Sequence, residues 1–393
     1  MLGNRLLTAL GATVLVAGSM SGALVGTATP AGAATVSDEA SFTTAWQTAG
    51  TTEIDLSANV TLTCTSGEPT RNSATAIMVN GNGHTLSQTC AGDRVAEQQS
   101  SGAITFSDIT VTGGTGTGSG GAVDTQGDLT ITSSTFTGNT ASGEGGAIEA
   151  EGAVTISGSA VTDNTSTGSG GGMAASGLVT LTDSTFSGNH SGNNGGGMRA
   201  YGGADVVNST ISDNVAVGGG GIDSNQQITL TYATVTGNTG EANLYVGDSQ
   251  LTSFGSVIAD PVSGPNCIQL SSTDSKGYNV DDDGTCGFGS GPGDHSDLAS
   301  IGLGALAANG GLGQTQLPAS TSPLVDQIPK ASCGAGSGIT TDERGVTRPQ
   351  GSACDIGAVE LSVAGPTTTT TAPASSTTAA AAAAVAATPQ FTG

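Results

Sequence analysis

The sequence predicts an all-β fold, a parallel β-helix in which each turn of the chain stacks on the previous one. Three observations support this class: a fixed repeat, an alternation of apolar and polar residues inside it, and a scarcity of large side chains. Residues 128–202 form three consecutive units of 25 residues, and a period of 20–50 residues is typical of solenoids. The chain has 65 glycines and only 3% aromatic residues, which suits a narrow core.

The alternation inside each unit identifies the strands. Val154-Thr155-Ile156 shows the pattern, and a period of two indicates a strand with one buried face. Three short strand patterns per unit, joined by Gly, Ser and Asn turns, predict one rung of the solenoid, with successive rungs about 4.8 Å apart. Alignment of the rungs gives three apolar columns: Phe136, Val161, Phe186, Ile211 and Val235; Ile131, Ile156, Leu181, Val206 and Leu230; Val123, Ile148, Met173, Met198 and Ile222.

A fourth column consists of asparagine. Asn tolerates the left-handed backbone of a sharp corner, and stacked side-chain amides can hydrogen-bond along a solenoid axis. We therefore predict a structural ladder, with a role in ligand binding as the alternative. Its members are Asn139, Asn164, Asn189, Asn214 and Asn238.

Two short motifs alternate along the repeats. A glycine-glycine-apolar motif begins at Gly120 and Gly145, and an apolar-x-x-Asn motif spans Phe136–Asn139 and Phe186–Asn189. Together they resemble the polymorphic outer-membrane protein repeat, a right-handed β-helix repeat of surface proteins, from Ala103 to about Ser249. The resemblance implies a right-handed solenoid and surface display, and it implies no reaction.

The N-terminal residues have two predicted parts. Residues 1–33 resemble a secretory signal, because an apolar stretch ends in an A-x-A cleavage pattern; an uncleaved membrane anchor is the alternative. Residues 34–50 contain one predicted helix, Ser37–Ala49, with Ser37 as its expected N-cap. We expect this helix to cover the first rung, because an open solenoid end would pair with other chains. The predicted buried face of the helix consists of Phe42, Ala45, Trp46 and Ala49.

The rest of the chain divides into three predicted parts. Residues 51–250 are the β-helix repeats, and residues 251–362 are expected to form irregular final rungs and a cap. Residues 363–393 are a Thr/Ala/Pro-rich segment without charge, which we expect to be a disordered stalk because it has nothing with which to build a core. Its last five residues resemble a sortase signal of the L-P-x-T-G type, although the Leu is missing and the spacing differs.

The cysteines and the charge indicate the compartment and the partners. All six cysteines lie outside the regular rungs, and a disulfide framework of a secreted chain is the expected reading. Of the possible pairings we favour sequence neighbours, each of which would staple an irregular end: Cys64 with Cys90, Cys267 with Cys286, and Cys333 with Cys354. The net charge of −24 argues against nucleic acid and anionic membranes as partners. We expect a monomer that does not span a membrane after processing.

Residues 307–360 carry a second resemblance. Asn309-Gly310-Gly311, Ser322–Asp326, Thr341–Pro349 and Cys354–Glu360 are similar to the C-terminal part of the choice-of-anchor Q family, secreted β-helix proteins whose surface anchor varies. The resemblance implies a surface protein. Its charged residues have two readings, a catalytic cluster or, as we favour, a set of contacts that hold the last rungs in place; these residues are Asp342, Arg344, Arg348 and Asp355.

The residues that follow the buried position of the glycine-apolar strand point outward and form a polar stripe. In the pectin lyase-like fold, enzymes that cut acidic polysaccharides use carboxylates and an arginine on a comparable strand face, so the resemblance permits a binding site here, but only by analogy of fold. A solvated polar face is the alternative. The candidate binding residues are Asp124, Glu149, Glu151, Arg199, Tyr201 and Asp223.

The remaining chemistry in the sequence is sparse. Asp281-Asp282-Asp283-Gly284 is similar to part of a calcium loop, but the downstream Glu is absent, so we expect an acidic turn, no metal site and no cofactor. The favoured function is a secreted, cell-wall-attached protein without enzymatic activity that adheres to an extracellular glycan or wall polymer or has a structural role. The alternatives are a lyase or glycoside hydrolase acting on an acidic polysaccharide, and a plain carbohydrate-binding module.

Overall fold

The computed structural model describes residues 32–298, 300–334 and 338–362, and within them the chain forms a parallel β-helix. The first and second strands of each rung belong to one 18-stranded sheet, and the third strands form a ten-stranded sheet. The first strands are Thr70–Arg71, Ala96–Gln98, Val123–Thr125, Ile148–Ala150, Met173–Ala175, Met198–Ala200 and Gly219–Ser224. The second strands are Ala33–Val36, Glu53–Leu56, Ile77–Asn80, Ile104–Ser107, Leu129–Thr132, Val154–Ser157, Val179–Thr182, Ala204–Val207 and Ile228–Thr231.

In the last rungs the first and second strands merge into two long strands, Ala242–Phe254 and Cys267–Gly277. The third strands are Val60–Leu62, Thr85–Gln88, Thr110–Thr112, Thr135–Thr137, Ala160–Thr162, Thr185–Ser187, Thr210–Ser212, Thr234–Thr236, Val257–Ala259 and Val280–Asp281. A small third sheet contains Thr140–Ala141, Thr165–Ser166 and His190–Ser191.

The register confirms the predicted apolar columns. Ile131 pairs with Ile156 and Ile156 with Leu181, and the other two apolar columns are stacked in the same in-register, parallel way. Ile156 is buried, whereas the neighbouring Thr155 is exposed. The core is thus a continuous apolar column in which every rung contributes the same few inward positions.

The asparagines form an amide ladder inside the solenoid. Each Nδ2 donates to the Oδ1 of the next rung at 2.9–3.0 Å, from Asn139 to Asn238, and the ladder continues through Asn243 to Asn266. The expectation that these asparagines occupy the left-handed corner is wrong. That backbone conformation belongs to the residue before each of them, namely Gly138, Asp163, Gly188, Asp213 and Gly237.

The N-terminal helix α1 spans Glu39–Gln47 and packs over the first rungs. Its N-cap is Asp38 rather than Ser37, because the Asp38 carboxylate accepts a hydrogen bond from the amide of Ser41 at 2.8 Å. Phe42, Ala45 and Trp46 are buried as predicted, but Ala49 lies beyond the helix end and is exposed.

A buried arginine that the sequence did not single out holds the end of this helix. The guanidinium of Arg71 donates to the carbonyls of Trp46 and Thr48, both at 2.8 Å, and to that of Thr51 at 2.9 Å. A cation at a helix C-terminus stabilises the carbonyls that have no partner within the helix.

Three disulfides join the cysteines that are neighbours in sequence, as expected. Cys64 pairs with Cys90, Cys267 with Cys286, and Cys333 with Cys354. In the first two pairs the Cα atoms are 4.9 Å apart, which is the distance between adjacent rungs. These bridges therefore staple consecutive rungs to each other.

The C-terminal region differs from the expected cap. Cys286 and Phe288 belong to the core at the end of the stack, but residues 300–334 and 338–362 fold back along the outer face of the ten-stranded sheet. Gly313 lies against Thr185, where a Cβ atom would be 1.9 Å from the threonine Oγ1, and the amide of Ala358 donates to the Oγ1 of Thr234. The region thus covers the middle and later rungs from the side.

Candidate functional site

The register of the first strands places the predicted polar stripe in one column. Asp124 pairs with Glu149, Glu149 with Ala174, and Arg199 with Asp223 on adjacent rungs. We call this column, together with Glu97 before it and the flanking Glu144, Glu151 and Tyr201, the acidic face. Its two ends differ, because Asp124 and Glu149 are partly accessible whereas Arg199 and Asp223 are buried.

Arg94, which the sequence analysis missed, organises the first end of the acidic face. Its guanidinium lies 2.8 Å from a Glu68 carboxylate oxygen and 3.1 Å from one of Asp124, and its Nε donates to the Ser119 carbonyl at 2.8 Å. One sequence signal could have revealed this site. Glu97 follows the apolar Val95-Ala96 in the same way that Asp124 follows Ala122-Val123, and Arg94 directly precedes that pair.

Arg199 and Tyr201 organise the other end. Arg199 forms an ion pair with Asp223, and its guanidinium lies 4.3 Å from the centroid of the Tyr201 ring. The Tyr201 hydroxyl in turn donates to the carboxylate of Glu144 at 2.9 Å. The sequence analysis placed Arg199 in an exposed position, but its charge is neutralised within the fold, because the acid one rung away reaches it.

Glu149 lies in the column between the Arg94–Asp124 pair and the Arg199–Asp223 pair. Within the described residues, it has no cationic partner of its own. Its Oε2 is buried without a hydrogen-bond partner. Burial, and then the nearby charges of Glu144, Asp124 and Glu151, raise the pKa of Glu149 to about 8. Burial also raises the pKa of Asp124, although Arg94 opposes this shift. At neutral pH the acidic face therefore contains a protonated carboxyl next to an ion-paired carboxylate.

Replacement of Glu149 tests this assignment. The ordinary pKa of the group is 4.5 and its folded pKa is about 8, so the stability of the protein falls as the pH rises between these values and stays lowered above them. We expect Glu149→Gln to raise the free energy of unfolding by about 2–3 kcal/mol at about pH 9 and to change it little at about pH 4. Urea unfolding at both pH values measures this, with the exposed Glu241→Gln as control. An equal effect of Glu149→Gln at both pH values would contradict the assignment.

The C-terminal charges form a second cluster, which binds the chain to itself. Arg348 is fully buried, lies 3.2 Å from a Glu360 carboxylate oxygen and donates to the Gly357 carbonyl at 2.7 Å. Arg344 pairs with Asp342 at 2.7 Å. The carboxylate of Asp355 accepts from the backbone amides of Asp326 and Leu361. These contacts match the favoured reading, in which the cluster holds the later rungs in place, because Arg348 also packs on the ring of Tyr232.

Glu343 shows how that attachment works. Its carboxylate accepts hydrogen bonds from the hydroxyls of Thr185 and Thr210 on the ten-stranded sheet. Burial raises the pKa of Glu343 to about 8, although the two hydroxyls oppose the shift. The C-terminal region is therefore docked on the sheet through buried polar contacts.

The predicted acidic turn is held by its own backbone. The carboxylate of Asp281 accepts from the amides of Gly284 and Cys286 at 2.8 and 3.0 Å, and that of Asp283 accepts from the Asn266 amide at 2.8 Å. Across residues 32–298, 300–334 and 338–362, no group of three or more His, Cys, Asp or Glu side chains is arranged to hold a metal ion. In the same residues, no helix has the length and hydropathy that a bilayer crossing requires.

Comparison with known proteins shows a similarity to one family model over part of the chain. Residues 33–189 match the model of the pectate lyase-like adhesive domain, which is less than half of the chain. The matched part contains the α1 cap, Arg94, Asp124 and Glu149, and it ends before Arg199. Neither the comparison with curated proteins nor that with solved structures gave a match. The chain is thus similar to a family of adhesive β-helices, and its disulfides are typical of extracellular and surface proteins.

Proposed function

We propose that this chain is a secreted, wall-attached adhesive β-helix that binds an extracellular glycan without cleaving it. The similarity of residues 33–189 to an adhesive domain supports adhesion. The resemblances to the polymorphic outer-membrane protein repeat and to the choice-of-anchor Q family add surface display to the proposal. The proposed signal lies almost wholly outside the described residues, as does the stalk at 363–393.

The single observation that carries the proposal is that both arginines at the acidic face are already paired with carboxylates of the chain. Arg94 is engaged by Glu68 and Asp124, and Arg199 by Asp223. An arginine that grips a sugar carboxylate must offer its fork of donors to the ligand, and these two already bind carboxylates of the chain itself. The net charge of −24 also repels a polyuronate. Both facts favour a neutral glycan and disfavour cleavage of an acidic one.

One observation favours the alternative function of a glycoside hydrolase. Asp124 and Glu149 lie on adjacent rungs, about 4.8 Å apart along the axis, and retaining hydrolases place their two carboxyl groups about 5–5.5 Å apart. Glu149 keeps its proton up to about pH 8, as a general acid must, while Asp124 is ion-paired.

A binding screen with a turnover assay separates the two functions. We expect the purified chain to bind one or more neutral polysaccharides on a glycan array, and to release neither reducing ends nor unsaturated uronates during incubation with the same panel. Glu149→Gln should bind as the parent does. Product formation that is lost in Glu149→Gln would instead make the Asp124–Glu149 pair an active site. Absence of binding to every glycan would contradict adhesion through carbohydrate.

A further inference from the structure

A cleft of about 510 Å³ opens on the outer side of the last rungs, away from the acidic face. One wall is formed by the ends of the second strands, at Thr229–Thr231 and Thr252–Phe254, and continues to Lys276 and Tyr278. Pro292 extends this wall, because its carbonyl accepts a hydrogen bond from the Tyr278 amide at 2.8 Å, and Ser332 joins the lining from the C-terminal region. The volume falls within the range of about 300–1,000 Å³ that small-ligand sites occupy.

The corner that follows the second strand becomes aromatic only in these rungs. From Asp108 onward this corner residue has a left-handed backbone and donates its amide to a carbonyl of the next rung. Tyrosine rarely adopts a positive φ, and such residues cluster at functional sites. The corner residues are, in order, Asp108, Ser133, Gly158, Asp183, Asn208, Tyr232, Gly255 and Tyr278.

The two corner tyrosines have different surroundings. Tyr232 is fully buried beneath Arg348, whose guanidinium lies 4.3 Å from the ring centroid, so its role is explained by packing. Tyr278 is only half-buried and lines the cleft. Between them lies Phe254, whose ring packs edge-on at 5.4 Å from Tyr232 and at 6.0 Å from Tyr278. The aromatic row thus ends in a ring that faces the open cleft.

The polar groups of the cleft carry little net charge. Thr229, Thr231 and Thr252 supply hydroxyls along one wall, and hydroxyl groups can both donate and accept. At the rim, Lys276 lies 2.7 Å from a carboxylate oxygen of Asp274, and both side chains are about half exposed. This pair offers a donor and an acceptor side by side but leaves no excess positive charge for an acidic ligand.

We propose that this cleft is a subsite for one pyranose residue of a neutral glycan. The electron-rich face of Tyr278 suits the C–H bonds on the apolar side of a sugar ring, and the threonine hydroxyls and the Lys276–Asp274 pair suit the sugar hydroxyls. This inference rests on the proposed function and adds to it the place of binding and the class of sugar. It also gives a role to the tyrosine at position 278, in a corner that most other rungs fill with a smaller residue.

Fluorine NMR of the full chain labelled with 3-fluorotyrosine tests the subsite directly. The chain has four tyrosines, so single Tyr→Phe variants assign the resonances of Tyr201, Tyr232, Tyr245 and Tyr278. The neutral probes are cellohexaose, xylohexaose and mannohexaose, and hexagalacturonate is the acidic probe. We expect at least one neutral hexasaccharide to shift the Tyr278 resonance saturably, while Tyr201 and Tyr245 stay unchanged and hexagalacturonate binds more weakly.

Tyr278→Asn removes the ring without a backbone conflict, because Asn208 occupies the same left-handed corner. We expect this variant to weaken binding of the neutral hexasaccharide by tenfold or more in calorimetry, at a temperature at which circular dichroism shows that the variant is folded. Tyr245→Asn is the matched control, since Tyr245 lies next to Asp223 in the register of the first strands and should leave the affinity unchanged.

The outcomes separate this inference from the proposed function. Binding that shifts Tyr201 or Tyr245 and not Tyr278, or that survives Tyr278→Asn, overturns the subsite and leaves glycan adhesion standing. Tighter binding of hexagalacturonate at Tyr278 overturns the assignment to a neutral sugar. If none of the three neutral probes binds, the subsite is rejected, and a negative glycan array would then reject the proposed function as well.

Discussion

Asn189→Ala is expected to lower the free energy of unfolding by about 3–5 kcal/mol. The Oδ1 of Asn189 accepts from the amide and the side chain of Asn164 at 3.1 and 3.0 Å. Its Nδ2 donates to the Val161 carbonyl and to Asn214 Oδ1, both at 2.9 Å. Asn189 is fully buried, so the substitution leaves all of these groups without a partner and without access to water. Equilibrium urea unfolding measures the loss.

Asn193→Ala is the matched control for this prediction. Asn193 belongs to the loop of the same rung, and its side chain is exposed, so the change should be within about 0.5 kcal/mol. A loss of less than about 1 kcal/mol for Asn189→Ala would show that the amide ladder contributes little beyond backbone pairing. Because both variants remove the same side chain, the difference between them measures the contribution of the buried hydrogen bonds of Asn189.

Arg348→Met is expected to lower the free energy of unfolding by about 3–5 kcal/mol, since it leaves a buried carboxylate unpaired. In the parent, the Arg348 guanidinium lies 3.2 Å from Glu360, donates to the Asp355 carbonyl at 3.1 Å and packs on the ring of Tyr232. Methionine fills part of the volume but satisfies none of these groups. Urea unfolding and hydrogen exchange should show the largest loss of protection in residues 338–362, with rungs 104–200 little affected.

Lys330→Met is the control for Arg348→Met. Lys330 is exposed, so loss of its charge should change stability by no more than about 0.5 kcal/mol. Because protonation of Glu360 removes the unpaired charge, the loss caused by Arg348→Met should also shrink towards about pH 4. Uniform loss of protection along the whole solenoid would mean that the C-terminal region is part of one cooperative unit rather than a separately docked segment.

The fold could be read from the sequence because its information is local and repeated. The alternation at Val154-Thr155-Ile156 defines a strand, and the 25-residue spacing defines which strands stack. Once the rungs are aligned, the asparagine column, the apolar columns and the pairing of Cys64 with Cys90 follow from position alone. In a repeat, residues that are one period apart in sequence are neighbours in the folded stack.

The burial and the charge pairing of each candidate site residue could not be predicted in this way. The stripe from Asp124 to Asp223 was placed correctly in register, but the pairing of its charges depends on side-chain contacts that the repeat does not define. Arg94 reaches Asp124 from a preceding irregular rung, and Glu144 reaches Tyr201 across 57 residues. Long side chains such as these can reach several acidic residues. Which acidic residue they contact depends on burial and on distance, and the repeat defines neither.

The sequence by itself determined the parallel solenoid and its buried columns, because each depends on a period that any aligned rung repeats. The disulfide pairing was a choice among several possible pairings, which the structure then confirmed. Only the tertiary structure decided that the C-terminal region covers the side of the stack. Glu343 belongs to no repeat, and it contacts Thr185 across a separation of 158 residues. It also decided the cleft, because Ser332 of the C-terminal region joins Tyr278 and Pro292 in its lining only in the folded chain. Contacts between a periodic and a non-periodic segment depend on surface shape and charge, which no single stretch of the chain contains.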